Sequence, residues 1–109
     1  MKKLDDLVRT NDTKILDLPS KIFDPHRFLI MKILHAHGPV GFSELKRDLK
    51  LSDGSLASHL RVLEDEKYIM SHKSFKDKKP RTTYELTQQG EDIFLSLKEI
   101  LSKVLVNEH

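Results

Sequence analysis

A lysine-rich stretch between Lys67 and Arg81 is the part of this 109-residue sequence best suited to bind an anion. It holds six cationic side chains against one acidic side chain, Asp77, whereas the whole chain carries a formal net charge of only +2. A basic segment on an otherwise slightly acidic protein is typical of a local anion-binding surface. A solvated loop would have the same composition, because charge runs are common on protein surfaces. The candidate anion ligands are Lys73, Lys76, Lys78, Lys79 and Arg81.

A second candidate surface lies upstream, on a helix predicted over residues 52–67. Leu56, Leu60 and Leu63 are spaced i, i+4 and i+7, which indicates one narrow apolar stripe. The opposite face of the first two turns is small and polar, so it could approach base edges closely, with Arg61 able to fork onto guanine. An ordinary amphipathic helix with a solvated polar face is the other interpretation. The candidate contact residues are Ser52, Gly54, Ser55, Ala57, Ser58, His59 and Arg61.

The residue types of this chain do not favour a metal site or a redox site. The chain has no cysteine, which excludes a disulfide framework, a thiolate metal site and a redox-sensing thiol. His35 and His37 are spaced i, i+2 and therefore point to different faces of a helix. For His59, at the edge of the apolar stripe, a hydrogen bond to a neighbouring element is favoured over a phosphate contact. The sequence therefore predicts no metal site and no cofactor.

Patterns typical of enzymes and membrane proteins are also missing. The serines lack a histidine and an acid in a suggestive order, no glycine-rich phosphate loop occurs, and the carboxylates fall on polar helix faces. No apolar run approaches the length of a membrane span, and the N-terminus lacks the apolar region of a signal peptide. We therefore expect a cytoplasmic protein that is not an enzyme and has no membrane contact.

Caps and breakers indicate the helices that must position the two surfaces. Asp24 is a good N-cap and Pro25 fits the first helical position, so a helix is predicted to begin there and to stop before Pro39. A short strand at 40–42 follows. Ser43 then caps a short second helix, which a tight turn connects to the 52–67 helix.

The basic stretch falls on a predicted β-hairpin. A strand is expected over 68–75, a turn over 76–80 and a second strand over 81–86, and a last helix then reaches about residue 105. The order is helix, short strand, helix, helix, hairpin and helix. We therefore expect a mainly α fold with a small antiparallel hairpin, a winged helix-turn-helix.

The order and spacing of several motifs resemble a known family. They are Asp24-Pro25-His26-Arg27, Ser43-Glu44-Leu45, Leu51-Ser52-x-x-x-Leu56-x-x-His59-Leu60-x-x-Leu63, Lys73-Ser74-Phe75 and Lys79-Pro80-Arg81-Thr82-Thr83-Tyr84-x-Leu86-Thr87-x-x-Gly90. Over about residues 24–95 they closely resemble the ArsR and MarR superfamily of prokaryotic regulators, and within it a small winged-helix family common in archaea. The Leu-Thr-x-x-Gly element after the basic hairpin is the most specific part.

The resemblance implies a transcriptional regulator, usually a repressor, that binds double-stranded DNA as a homodimer on a roughly palindromic operator. The 52–67 helix would then face the major groove, and the basic wing at 73–83 would contact phosphates or the adjacent minor groove. Such a protein would associate with the nucleoid. The metal sensing of ArsR relatives does not transfer, because the cysteine pair of their sites is absent, and no effector is predicted. A winged helix used for protein contacts or RNA binding is the alternative function.

Two departures from the family pattern affect backbone geometry. Relatives often have glycine after the recognition helix, where this chain has Lys67. Lys67 would have to adopt a left-handed conformation that costs about 1 kcal/mol. Asp77 stands at the wing tip, where glycine is frequent. Neither departure contradicts the predicted fold.

The last helix carries more apolar surface than one small domain can cover. Some of its residues, including Ile93 and Leu97, can face the core of the winged domain at 21–87, and the rest remain for a partner. A two-fold pair along 88–109, with help from an N-terminal segment at 1–20, would bury both sets. Alternatively, the N-terminal segment folds back over its own chain. The predicted interface comprises Leu4, Leu7, Phe94, Leu97, Leu101 and Leu105.

Overall fold

The computed structural model describes residues 20–106, with the side chains described as far as residue 103. The predicted N-terminal segment with Leu4 and Leu7, and the side chain of Leu105, lie outside this description. The order of elements confirms the predicted winged-helix arrangement. After a 3-10 turn at Ser20–Ile22, the elements are α1 (Pro25–His37), β1 (Val40–Gly41), α2 (Phe42–Leu49), α3 (Asp53–Asp65), β2 (Ile69–Lys76), β3 (Lys79–Leu86) and α4 (Gln88–Val106).

Helix α1 begins and ends where its sequence signals predict. The Oδ1 atom of Asp24 accepts hydrogen bonds from the backbone N–H groups of His26 (2.8 Å) and Arg27 (3.1 Å), which satisfies two free donors of the first turn. Gly38 ends the helix with a φ of 73°, and its N–H donates to the carbonyl of Leu34 over 2.9 Å. A positive φ of this kind strains any residue with a Cβ, so glycine suits the position.

Helix α2 begins two residues earlier than predicted. Its N-cap is Gly41, and the expected cap, Ser43, lies inside the helix. The carboxylate of Glu44 accepts a hydrogen bond from the backbone N–H of Gly41, which is the reciprocal half of a capping box. A Cβ at position 41 would press against that carboxylate and force it to shift, so glycine leaves room for the side chain to fold back. Lys50 ends the helix in the left-handed conformation, with a φ of 56°.

The hairpin turns more tightly than predicted. Only Asp77 and Lys78 form the turn, and Lys76 pairs with Lys79 across it, so the strands extend further than the predicted 76–80 turn allows. The φ angles of the turn residues are 53° and 65°, the two positive values that match a two-residue turn to the twist of its strands. Strand β3 lies between β1 and β2 in the antiparallel sheet. Lys67 has a φ of 64°, as predicted.

The core lies between the helices and the sheet. The three leucines of the predicted α3 stripe are its centre, and each is almost completely buried. No polar or charged residue in the described part of the chain is buried, so this core has no buried charge to neutralise. The buried residues are Ile22, Ile30, Met31, Leu34, Leu45, Leu56, Leu60, Leu63, Tyr68, Ile69, Tyr84, Phe94 and Leu97.

The position of α4 corrects part of the predicted dimer interface. Phe94 and Leu97 were both assigned to a partner, yet each is only 2% exposed within its own chain. The ring of Phe94 lies 5.6 Å from that of Phe28 and 5.0 Å from that of His35, measured between centroids. This face of α4 is therefore buried against α1 and is not available to a partner. No helix within residues 20–106 is long and apolar enough to cross a membrane.

Candidate nucleic-acid interface

The first two turns of α3 present a small, polar and exposed face. Ser52 caps the helix, and its hydroxyl oxygen accepts the backbone N–H of Ser55 over 3.1 Å. Gly54 faces open space, since a Cβ built there would meet no atom within 4 Å. Leu56, Leu60 and Leu63 hold the opposite face against the core, so the outward face is fixed in orientation. The exposed residues of the predicted contact set are Ser52, Gly54, Ser55, Ala57, Ser58 and Arg61.

Arg61 is the one long hydrogen-bond donor of this face. It is exposed, and no hydrogen bond or ion pair engages it within residues 20–106. The possible i, i+4 pair with Asp65 is therefore not formed. At the far end of α3, Glu66 instead pairs with Lys21 over 2.8 Å, which ties that end to the 3-10 turn. The guanidinium of Arg61 thus keeps all its donors free for a ligand.

His59 is turned away from the exposed face. Its side chain is 17% exposed, and its ring stacks on that of His26 with the centroids 5.3 Å apart. Its Nδ1 lies 3.2 Å from Nη1 of Arg27. An arginine side chain can only donate, so Nδ1 of His59 is the acceptor. The prediction of a structural hydrogen bond to a neighbouring element is confirmed, and the assignment of His59 to the DNA-contacting set is corrected.

Four of the five predicted wing cations point into solvent. Lys73, Lys76, Lys78 and Lys79 are exposed, and none of them forms an ion pair with another described residue. The tight turn brings the last three together at the tip of the hairpin. Like charges held this close repel one another, and a polyanion would relieve that repulsion.

Arg81 has a different role from the lysines. Its Nη2 lies 2.9 Å from Oε1 of Glu44, and it also donates to Oε2 over 3.2 Å. Desolvation raises the pKa of Glu44, but the hydrogen bonds from Arg81 and from the N–H of Gly41 outweigh it and leave that pKa below its ordinary value. Arg81 therefore links the base of the wing to the start of α2 and is not a free cation.

Two features of this surface were missed from the sequence. Lys46, Arg47 and Lys50 are exposed at the end of α2 and help line a cavity of about 390 Å³ beside the start of α3. Lys46 pairs with Asp53 over 2.8 Å. Phe75, on β2 of the wing, is 78% exposed between lysine-bearing positions. Two patterns in the sequence could have indicated these features. The first is the i, i+1, i+4 spacing of Lys46, Arg47 and Lys50, and the second is the aromatic residue Phe75 within a lysine-rich strand.

A groove separates the wing from α2. Its volume is about 540 Å³, and residues from both sides line it, among them Ser43, Lys76, Lys79 and Arg81. Its wall mixes polar and apolar side chains, and Lys76 and Lys79 bring the charge of the wing to one side of it. A helix-turn-helix with an exposed second helix and a basic β-hairpin defines a winged helix-turn-helix protein.

Comparison with known proteins identifies the family. Residues 26–105 match a family model described as a winged helix DNA-binding domain, and the chain belongs to this family. Its members and relatives act as transcriptional regulators and not as enzymes. No curated protein sequence matches the chain significantly.

Solved structures of transcriptional regulators share the fold. A transcriptional regulator homologue from Pyrococcus horikoshii OT3 is 32% identical with a TM-score of 0.71, and the match covers 87% of this chain and 98% of that one. The regulator Tm0710 from Thermotoga maritima is 19% identical with a TM-score of 0.68, covering 92% and 68%. A mutant MarR from E. coli, complexed with operator DNA, is 20% identical with a TM-score of 0.67, covering 84% and 61%.

Proposed function

We propose that this protein is a transcriptional repressor that binds a specific sequence of double-stranded DNA as a homodimer. The first half of α3 enters the major groove, and the wing at 73–83 lies on the backbone or in the adjacent minor groove. One observation carries the proposal. The exposed face of α3 and the wing hold five cations, Arg61 and four lysines, that have no partner within the described residues.

The shape of α3 supports entry by its N-terminal half. Glycine, serine and alanine leave room for the helix to approach base edges, and serine hydroxyls can donate or accept there. The second half carries Glu64, Asp65 and Glu66, whose charges phosphates would repel. Recognition helices of this class contact bases through their first turns, which agrees with that polarity. Arg61 is then the residue best able to make a bidentate contact with guanine.

The wing supplies affinity rather than sequence preference. Lysine side chains bind phosphates as point charges, and such contacts position a protein on DNA without reading the bases. Arg81 is excluded from this set because Glu44 already neutralises it. Lys50 extends the same surface beside the start of α3, where a second stretch of backbone would pass, whereas Lys46 and Arg47 beside it pair with Asp53 and Asp48.

The homodimer forms through the face of α4 that the core leaves free. Leu95 is 43% exposed on α4, and Ile100 and Leu101 are half-buried. Exposed apolar side chains of this kind are stabilised when a second copy covers them, and a two-fold pair would present two recognition helices to a palindromic operator. Phe94 and Leu97 no longer belong to the proposed interface. The MarR structure in complex with operator DNA shows that the fold is used for DNA binding in a relative of this shape.

Arg61→Ala tests the proposed readout. A high-affinity duplex is first selected from a randomised library, and a scrambled duplex of equal length serves as the reference. We expect the substitution to cost about 1 to 3 kcal/mol on the selected duplex and much less on the scrambled one, because a bidentate base contact is lost. Lys32→Gln, which removes an exposed charge from α1, is the matched control.

Three outcomes of that experiment distinguish the possible roles. Equal losses on both duplexes would make Arg61 a phosphate contact and leave the readout to Ser55 and Ser58. No loss on either duplex would remove Arg61 from the interface. If the wild type prefers no duplex sequence, the proposal is wrong, and a module for RNA or protein contacts becomes the better description.

Leu95→Glu tests the dimer. A charge in place of this exposed apolar side chain should dissociate the homodimer at tens of micromolar and leave the circular dichroism spectrum unchanged, since Leu95 is exposed within its own chain. Leu101 is a poorer choice because it packs against the core. Gln89→Glu places the same charge at an exposed position six residues before Leu95, near the start of α4, and should leave the dimer intact. A wild type that sediments as a monomer would contradict the proposed assembly.

A further inference from the structure

A second cluster of ligating side chains lies away from the wing, where the start of α1 meets the middle of α3. Oδ1 of Asp24 lies 3.9 Å from Nδ1 of His26 and 3.9 Å from Nδ1 of His59. One ligand atom from each residue lies within 4.8 Å of the other two. The side chains of Asp24 and His26 are 28% and 46% exposed, so an ion could reach the cluster from solvent.

We propose that Asp24, His26 and His59 bind a divalent transition-metal ion, best matched by Zn²⁺. Two imidazole nitrogens and one carboxylate oxygen form a three-residue ligand set of the kind that binds Zn²⁺ and leaves a fourth position for water or another ligand. Ligand atoms around a tetrahedral Zn²⁺ lie about 3.3 Å apart for bonds of about 2.0 Å. The two Asp24–histidine separations are 3.9 Å and the separation of the two histidines is within 4.8 Å, so side-chain rotations are needed to bring the three atoms onto one ion.

The protonation states suit a metal. Nδ1 of His59 accepts from Arg27, so that nitrogen already exposes the lone pair that a metal requires. The backbone N–H groups of His26 and Arg27 both donate to Oδ1 of Asp24, and these hydrogen bonds favour the ionised carboxylate. The carboxylate is therefore ionised at neutral pH. It supplies the negative charge of the ligand set.

Arg27 is the group that opposes an ion at this place. Its Nη1 lies 3.2 Å from Nδ1 of His59, so metal binding requires the guanidinium to move aside. The Nε of Arg27 donates to the backbone carbonyl of Lys21 over 2.6 Å, and because the guanidinium is a rigid plane, moving Nη1 also disturbs that bond. Arg27 is thus an occupant that an ion has to displace. The positive end of α1 adds a modest cost, which the ionised Asp24 offsets.

The ligand set joins two elements that the proposed function uses differently. Asp24 and His26 belong to the start of α1, whereas His59 belongs to α3, where it directly follows Ser58 of the exposed face. A metal would cross-link the two helices and restrain the rotation of α3 about its axis. This consequence rests on the proposed function, and it makes DNA affinity depend on the metal, with a typical coupling of about 5-fold or more.

Cobalt spectroscopy and zinc calorimetry on the full chain test the site directly. We expect the wild type to bind one Co²⁺ per chain in this cluster with the intense visible absorption of a tetrahedral site, and Zn²⁺ to displace it. Removing a residue that only hydrogen-bonds to a metal ligand weakens metal binding by about 10- to 100-fold. His59→Gln and His26→Gln each remove a ligand itself, so each should weaken Zn²⁺ binding by at least that factor. His26 is half-exposed, which makes its substitution safe for folding.

His72→Gln is the matched control. His72 also lies beside a carboxylate, with Nε2 3.0 Å from Oε1 of Glu85, but it has no third ligand. Its substitution should leave the absorption band unchanged. Equal zinc affinity in the wild type and in both cluster variants, or loss of the band only in the His72 variant, would overturn the proposal.

A DNA titration with and without Zn²⁺ separates the site from its consequence. We expect Zn²⁺ to change the affinity of the wild type for the selected duplex and to leave that of the His26→Gln variant unchanged. Metal binding without any change in DNA affinity would refute the coupling and keep the site. If the protein binds no duplex at all, the proposed function fails, and the spectroscopic result still decides the metal site.

Discussion

The lysines at the wing tip provide the sharpest quantitative test of the proposed interface. Lys78 has a φ of 65°, a left-handed value that asparagine tolerates better than most residues, so Lys78→Asn removes the charge and keeps the turn. Lys79 lies in the strand opposite Lys76 and is replaced by glutamine, which keeps the length of the side chain. The double variant Lys78→Asn, Lys79→Gln removes four cations from a homodimer.

The expected effect follows from the number of phosphates that each wing neutralises. Three to four of the exposed lysines on each of two wings would make six to eight contacts. At about 0.9 per phosphate, the logarithm of affinity should fall with the logarithm of salt concentration with a slope of about −5 to −7. The double variant should reduce the magnitude of that slope by about 3.6, because four contacts are lost. Wild type and variant should therefore differ most at low salt.

Fluorescence anisotropy of a labelled duplex across a series of salt concentrations measures the slope. The selected and the scrambled duplex should lose affinity equally, since phosphate contacts carry no sequence information. Lys32→Gln in the same assay corrects for the change in net charge. A slope that stays at the wild-type value would refute phosphate contact by these two lysines. A loss confined to the selected duplex would mean that the wing reads bases.

Two predictions concern stability. Gly90→Ala should destabilise the fold by about 3 kcal/mol or more, since a Cβ there would collide with the backbone carbonyl of Tyr68. Gly54→Ala should be neutral or stabilising, because a Cβ at that position meets open space. Thermal unfolding compares the two variants, and equal effects would contradict the close packing at Gly90. The pKa of Glu44 is lower in the folded protein than in the unfolded chain, where it is near 4.5. The ionised Glu44 therefore stabilises the fold fully above the unfolded pKa, and this stabilisation is lost as pH falls through the folded pKa. Glu44→Gln should flatten this acid limb in urea unfolding, and an unchanged limb would refute the role of the Arg81 pair.

Local signals predicted most of the fold. The caps at Asp24 and Ser52 depend on a side chain and a backbone group two or three residues apart, and the structure forms both. The cap of α2 was missed because Glu44, not Ser43, satisfies the first turn, and Glu44 is held by Arg81, 37 residues away. No local pattern contains that partner.

The errors on the two surfaces have the same physical origin. The spacing on α4 gives two apolar faces, but it cannot say which one meets α1, and the contact of Phe94 with Phe28 decides this. Likewise, His59 and Arg27 are separated by 32 residues, so their hydrogen bond and the Asp24 cluster were invisible in the sequence. The exposed face of α3 could be predicted because the leucine stripe alone fixes its orientation.

The Leu-Thr-x-x-Gly element explains how the two surfaces keep a fixed separation. The hydroxyl of Thr87 donates to the carbonyl of Lys67 over 2.6 Å and accepts the N–H of Gly90 over 3.0 Å. The N–H of Thr87 donates to the carbonyl of Tyr68 over 3.0 Å, and the missing Cβ of Gly90 lets α4 approach that carbonyl closely. The start of α4 is thus bonded to the segment that directly follows α3. In the proposed dimer, α4 holds the partner and α3 reads the DNA. A rigid joint between them would set the distance between two recognition helices, which must match half-sites about one helical turn of DNA apart.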